Sequence, residues 1–555
     1  MKRECTWTAV VLGIILSVVF GAANAYLGLR VGLTVSASIP AAVISMGVLR
    51  LILRRDSILE NNMVQTIGSA GESLAAGAIF TLPALFLWAE EGVCAPPGFW
   101  PLTVIALAGG VLGVLLMVPL RRPLMVDEAQ TLIYPEGRAC ADVLLAGEAG
   151  ISRAKQVLYG LLGAVGLKLT TDLFHGIPAA FSLPIRRVRG ELGMEVSSAL
   201  FGVGYIVGPK TALLVFSGSF LGWMVLIPLF CAFSESSAAL YAAEGATGVW
   251  RASIRYVGAG AIVTGGFLSL FQSIPLFIRS FRTPRATDKG TERDLPLKGI
   301  LVGIGCVVAF LWAVPLVPVG FVGACLMALF GFFFAMVSAR MVGFVGSSNN
   351  PVSGMTIATL VVASLTLKAT GTAGAAGMVS AIAIGSVVCI VAAMAGDMAQ
   401  DLKTGQLLGA TPWKQQIGEL IGAVVAAATI AGVLYLLHRA WGFGSEQISA
   451  PQASLMKVIV EGIMGGQLPW KLMALGAALA LPLHFLRIPV MPFAIGLYLS
   501  IKLNTTIFLG GLVRLVVDRY ARERADSGTL LSAGLIAGEG LCGILLAFYT
   551  LLKGV

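Results

Sequence analysis

The stretch Asn61-Asn62-Met63-Val64-Gln65-Thr66-Ile67-Gly68-Ser69-Ala70-Gly71-Glu72-Ser73-Leu74-Ala75-Ala76-Gly77 decides the fold. It sets amides, hydroxyls and one carboxyl inside a region whose flanks are too apolar to lie anywhere but in a membrane. Lipid tolerates such groups only where they face protein or a water-filled cavity. A comparable run, Ser347-Ser348-Asn349-Asn350-Pro351-Val352-Ser353-Gly354-Met355-Thr356, returns in the second half of the chain. Two polar, glycine-rich membrane segments in corresponding positions are the pattern of a duplicated transport pathway.

Composition agrees with that setting. Of 555 residues, 57% are hydrophobic and only 12% are charged, where a soluble domain carries about 25% charge. Mean hydropathy is +0.90. Apolar stretches of transmembrane length recur throughout, which predicts an all-α polytopic membrane protein without a sizeable soluble domain. The 68 glycines suit close helix–helix approach and broken helices. The net charge of +10 does not indicate nucleic acid, because the basic residues sit in short clusters between spans: Arg50, Arg54 and Arg55; Arg121 and Arg122; Arg279 to Lys298. That is the positive-inside pattern, with Glu90-Glu91 in an outside loop and Lys2-Arg3 cytoplasmic. It predicts a multi-pass protein of the inner (cytoplasmic) membrane, with the lipid bilayer as partner. Arg186, Arg187 and Arg189 depart from the pattern. Eight scattered cysteines show no disulfide or zinc spacing, and the three histidines are isolated, so no metal site is expected.

Met1 to Ala25 has the basic start, apolar core and small-residue end of a cleaved signal. The apolar pattern continues through Tyr26-Leu27-Gly28-Leu29, which predicts a first transmembrane helix instead. First-half spans are expected near 8–28, 36–53, 63–88, 100–120, 156–175, 197–216, 217–233 and 253–275. Second-half spans are expected near 299–315, 319–341, 354–370, 375–396, 416–437, 469–486, 490–518 and 528–551. That is about sixteen transmembrane helices in two tandem pseudo-symmetric halves, a count that span edges and broken helices blur. The halves are 1–278 and 299–555, joined by a charged cytoplasmic linker, 279–298.

Matches between the halves keep one order. Asn61-Asn62 corresponds to Asn349-Asn350, Asp127-Glu128-Ala129-Gln130 to Asp397-Met398-Ala399-Gln400, and Leu144-Leu145 to Leu407-Leu408. Phe201-Gly202-Val203-Gly204 then corresponds to Phe493-Ala494-Ile495-Gly496, and Gly218 to Gly510. Two polar, glycine-containing intervals, Val126–Glu148 and Gly396–Gln416, read as re-entrant hairpins dipping from the cytoplasmic side.

Four blocks resemble the oligopeptide transporter (OPT) family, prokaryotic branch. They are Leu59-Glu60-Asn61-Asn62 through Pro83-Ala84-Leu85; Tyr134-Pro135-Glu136-Gly137-Arg138-Ala139-Cys140-Ala141-Asp142; Val345-Gly346-Ser347 through Thr356; and Ala395-Gly396-Asp397-Met398-Ala399-Gln400-Asp401-Leu402-Lys403-Thr404-Gly405. The resemblance implies secondary active import of small peptides or metal–chelator complexes, driven by protons with no other cofactor. Prokaryotic members often carry a His and Leu-Pro near the position of Asp127-Glu128-Ala129-Gln130-Thr131-Leu132-Ile133; this chain has neither there.

The residue chemistry supplies candidates for each task. Asn and Gln offer both donor and acceptor groups to a peptide amide or carboxylate. Asn61, Asn62, Gln65, Asn349, Asn350 and Ser353 therefore form the leading substrate group; the alternative is that they stitch helices together. Lys210, after the helix-breaking Gly208-Pro209, suits an anionic group or snorkels to the interface. Tyr205 and Tyr498 are read as holding equivalent repeat positions and line the path or simply pack. Intramembrane carboxyls are natural proton carriers. Candidates are Glu72 first, then Asp127, Glu136, Asp142, Asp397, Asp401 and Glu539, with Glu128 beside them. Lys168 and Asp172, four apart on a helix, are expected to pair structurally.

The same residues admit rival functions. Asp397-Met398-Ala399-Gln400-Asp401 has the DxxxD spacing of Mg-dependent intramembrane prenyl transferases, but Asp127-Glu128 makes a poor second acidic cluster and the Asn pairs go unused. A passive channel fits an internally duplicated chain with broken helices less well than alternating access does. A carrier restricted to siderophores or metal chelates is the nearer alternative. Substrate identity and homo-oligomer formation are not legible in the sequence.

Overall fold

The computed structural model describes residues 4–553 except 33, 35, 56, 130–131, 146–148, 186, 266–267, 269–292, 315, 348–349, 446 and 466–468. The first helices in chain order are α1 (Trp7–Val31), α2 (Ser38–Gly47), α3 (Ile58–Ala78), α4 (Pro83–Glu90), α5 (Phe99–Arg122), α6 (Pro135–Leu145) and α7 (Ala149–Lys168). A hairpin, β1 (Ala180–Ile185) and β2 (Gly190–Glu195), leads to α8 (Ser198–Leu221), α9 (Ile227–Phe233) and α10 (Glu235–Val249). After 292 come α11 (Leu297–Ala313), α12 (Phe321–Val345), α13 (Val352–Ala369), α14 (Gly374–Leu408), α15 (Pro412–Trp441) and α16 (Pro451–Met464). The chain closes with α17 (Trp470–Phe485), α18 (Val490–Tyr498), α19 (Ile501–Tyr520) and α20 (Ala525–Lys553). The protein is thus an all-α polytopic membrane protein with one small hairpin. Nine helices among the described residues are long and apolar enough to cross a membrane, and three shorter apolar helices accompany them.

Two compact units emerge, and each draws on both sequence halves. One comprises Met1–Lys155, Leu270–Gly466 and Gly543–Val555; the other comprises Gln156–Ser269 and Gln467–Cys542.

In the first unit α14 is the central helix. Every residue from Ser380 to Gly405 is buried, as expected of a helix surrounded by other helices. At 35 residues it is about 52 Å long at 1.5 Å per residue, well over the roughly 30 Å of a bilayer's hydrocarbon core. The re-entrant hairpin expected at Gly396–Gln416 is therefore corrected. The helix runs unbroken to Leu408, Gly409 ends it at φ 71°, and Pro412 opens α15 after a short turn. The earlier interval, Val126–Glu148, is interrupted: a π-helical turn, Pro123–Asp127, is followed by irregular backbone and the short α6. Helix α3 begins with Ser57, whose hydroxyl accepts from Glu60 N at 3.3 Å, the N-cap half of an S-x-x-E box. α1 passes through Ala25 without a break and ends at Gly32, φ 73°.

The linker residues 279–292 lie outside the described residues, but its end is pinned. Arg121 donates to both carboxylate oxygens of Asp294 at 2.6 and 3.0 Å, and Gln416 Nε2 donates to the same carboxylate at 2.6 Å.

The second unit is organised by reciprocal close approach of helices from the two sequence halves. A Cβ at Gly218 would overlap the carbonyl of Phe493, and one at Gly510 would overlap that of Phe201. Gly204 faces the carbonyl of Ile507 and Gly496 that of Val215. Gly160 meets Leu531 as Gly476 meets Val257. The Phe201/Phe493 and Gly218/Gly510 matches are thus two sides of one crossing. Both crossing helices are broken nearby: α8 at Gly208 (φ 84°, ψ 168°), and the expected single span 490–518 at Leu499 (ψ 160°), which splits it into α18 and α19. The spans expected at 197–216 and 217–233 instead form one helical stretch, Ser198–Phe233. Lys168 and Asp172 pair at 2.7 Å.

Candidate functional site

The site lies in the first unit, where α3 packs antiparallel on α14. Gln65, Ser69 and Ser73 are four apart on α3, and Asp397 and Asp401 are four apart on α14. One helical turn on each side keeps them in step. Ser73 donates to Asp397, while Ser69 and Gln65 donate to Asp401. Ser38, at the start of α2, adds a third donor to Asp401 at 3.1 Å.

Glu72 is held on the neighbouring face of α3. Asn24 Nδ2 donates to its Oε1 at 3.0 Å and the backbone N–H of Ala37 to its Oε2 at 3.3 Å. From α15, Gln415 donates to Thr66 and to the carbonyl of Asp401 at 3.1 and 3.0 Å. Glu419, one turn on, lies beside Asp401.

Four carboxyls thus lie within one locus: Glu72, Asp397, Asp401 and Glu419, each at most 5% exposed. Among the described residues none has a basic partner; hydroxyls, amides and one backbone N–H donate to Glu72, Asp397 and Asp401. The orphan polar atoms here are all acceptors: Asn62 Oδ1, Gln65 Oε1, Asn350 Oδ1, Asp397 Oδ1 and Glu419 Oε1 have no hydrogen-bond partner among the described residues.

The four quoted sequence blocks meet at this stretch of α14. Gly137 of α6 donates its N–H to Gln400 Oε1 at 2.8 Å and accepts from Thr404 Oγ1 at 2.9 Å. A Cβ at Gly137 would overlap the carbonyl of Gln400, so the Pro135-Glu136-Gly137 block is fitted to the Asp397–Gly405 block by its glycine. Ser347 donates to Glu136. Asn350 Nδ2 donates to Ser338 Oγ at 2.7 Å, directly beside Gly396.

The other sequence candidates are placed as follows. Asn61 accepts from Ser45 at 2.6 Å, a bond between α2 and α3, and Asn62 is buried beside it. Ser353 is buried at the start of α13, and Asn349 lies outside the described residues. Glu136 and Asp127 are half-buried, and Asp142 is exposed. Glu128 pairs with Arg340 at 2.7 Å. The remaining candidates belong to the second unit. Glu539 accepts from Ser197, Ser198 and the N–H of Ala199, each at 2.8 Å, and so closes the start of α8. Lys210 is exposed after its helix break. Tyr205 and Tyr498 are buried, each under an arginine: Arg514 and Arg255, both 5.3 Å from the ring centroids. Glu419 was not among the candidates. Its signal was a carboxyl one turn after Gln415 at the entry of an otherwise apolar span.

The family model for the OPT oligopeptide transporter protein matches residues 4–550. The chain belongs to the oligopeptide transporter family. A putative oligopeptide transporter of Haemophilus influenzae is 35% identical, over 94% of this chain and 92% of its own length. A metal-nicotianamine transporter of Arabidopsis thaliana and an iron-phytosiderophore transporter of Oryza sativa subsp. japonica are each 22% identical, over 97% of this chain and 90% of their own length. Members of the OPT family are transporters, which sets aside the prenyl-transferase alternative. The acids that carried it, Asp397 and Asp401, sit within the polar seam of an OPT transporter.

Proposed function

We propose that this OPT member is a proton-coupled carrier of the inner membrane. It imports small peptides or peptide-like metal chelates by alternating access, and Glu72, Asp397, Asp401 and Glu419 are the coupling acids. One observation carries the reading: four buried carboxyls share a locus in which every hydrogen-bond donor is a hydroxyl, an amide or a backbone N–H. A lysine or arginine would lock a carboxylate in its charged form. A serine hydroxyl instead donates to a carboxylate and accepts from a carboxylic acid, so it serves both states of a proton carrier. The orphan acceptors of Asn62, Gln65 and Asn350 await donors, which a substrate's N–H or ammonium groups supply. Asn61, Asn349, Ser353, Lys210, Tyr205 and Tyr498 complete the proposed substrate-facing set, with Glu136, Asp127, Asp142 and Glu539 as further proton-linked acids.

The test is accumulation of labelled di- to pentapeptides, and of ferric and zinc chelates, by proteoliposomes under an inward proton gradient. Accumulation above the external concentration, abolished by a protonophore, is expected for at least one class. Equilibration without accumulation would mark a channel or uniporter.

A further inference from the structure

In the second unit several hydrogen-bond donors gather around one acceptor, the Tyr498 hydroxyl, and two of them have no partner among the described residues. Arg255 follows a π-helical turn, Trp250–Ile254. Its Nε donates to the hydroxyl of Tyr498 at 3.0 Å, and its guanidinium lies 5.3 Å from the Tyr498 ring centroid and 6.0 Å from that of Trp250. Trp250 in turn stacks on Trp223, with centroids 5.8 Å apart and planes at 28°. Both indole N–H groups are buried without a partner among the described residues, and Trp223 is 1% exposed. Arg251, one turn earlier, has Glu244 at 3.7 Å; Arg255 has no carboxylate among the described residues.

We infer that Arg255, Trp250, Trp223 and Tyr498 form a receptor for the carboxylate group of a small solute. A guanidinium presents five N–H donors and no acceptor, and an indole N–H only donates. A ligand for this cluster must therefore bring acceptors. With Nε engaged by Tyr498, the edge left open is that of the two η nitrogens, which matches the two oxygens of a carboxylate. The bond from Nε to the Tyr498 hydroxyl, with the Trp250 ring nearby, fixes the position of the guanidinium and so pre-organises the fork. Two buried indole N–H groups left unpaired are costly, and an anion drawn into the cluster relieves that cost. Tyr498 is the last residue of α18, immediately before the break that precedes α19. The inference goes beyond proton coupling and stands independently of it.

The test uses the full-length protein in detergent and two probes that differ only in charge. N-acetylalanine carries the carboxylate, and N-acetylalaninamide is neutral. Each is titrated at matched ionic strength and followed by tryptophan fluorescence. The expected result is a saturable response to the acid and binding of the amide weaker by about tenfold or more. Arg255→Gln is expected to bring the acid down to the level of the amide. Arg255→Lys keeps the charge without the fork and is expected to restore part of the preference, so a folding defect in the glutamine variant does not decide the matter. No saturable response in the unaltered protein would overturn the assignment. So would equal response to both probes, a preference that survives Arg255→Gln, or a response to inorganic phosphate but not to N-acetylalanine. Because no proton gradient is present, loss of coupled uptake with intact acid binding would count against the coupling proposal alone.

Discussion

Glu72 and Asp401 differ in what holds them, and the difference separates their expected phenotypes. Glu72 receives one amide and one backbone N–H; Asp401 receives two hydroxyls and one amide, with Glu419 beside it. Glu72→Gln preserves size and one acceptor oxygen, so it is expected to leave substrate binding intact and to reduce gradient-driven accumulation to the level of pH-equilibrated vesicles. Unchanged accumulation would reject its coupling role. Glu419→Gln replaces a titratable carboxyl beside Asp401 with an amide that cannot carry a proton. Accumulation is expected to fall in the same assay while exchange of labelled for unlabelled substrate continues. Loss of both activities together would make Glu419 structural. Glu72 was legible in the sequence because a lone acid deep in an apolar span has few explanations. Glu419 was not, because it stands beside Gln415-Gln416 at a span entry, where polar residues ordinarily meet the interface.

At the scale of the element, the misread segment is the C-terminal third of α14. Hydropathy treats Asp397, Gln400, Asp401, Lys403 and Thr404 as though each faced lipid, which would end a span. Here their partners are other helices, so the helix continues and Gly405, fitted against Gln415, does not break it. The Asp397/Asp401 spacing was readable, but the partners one helix away were not. Glycines show the same dependence on surroundings. Gly137→Ala is expected to destabilise the protein by about 1–3 kcal/mol, because the added methyl overlaps backbone. Gly163→Ala, in α7 with nothing within 4 Å of its added Cβ, is expected to stabilise by up to about 1 kcal/mol through helix propensity. Thermal unfolding in detergent reads both. Like-signed shifts of similar size would contradict the packing described.

For the whole molecule, motif order led to the expectation of two corresponding halves; in the second unit, glycines of the matched motifs pack against the backbone of helices from the other half. The grouping into two compact units was not legible, since each unit takes segments from both sequence halves and such long-range pairing leaves no trace in a linear pattern. Substrate class was not legible either, and relatives named for oligopeptides and for metal chelates span the same length of chain.

The most direct measurement is of the proton itself. Liposomes containing the protein and a trapped pH-sensitive dye are given an inward substrate gradient at equal pH on both sides. Acidification of the lumen that depends on substrate, and that is lost in Glu72→Gln with substrate flux retained, is the predicted result. Substrate entry with no change in luminal pH would contradict proton coupling through this cluster.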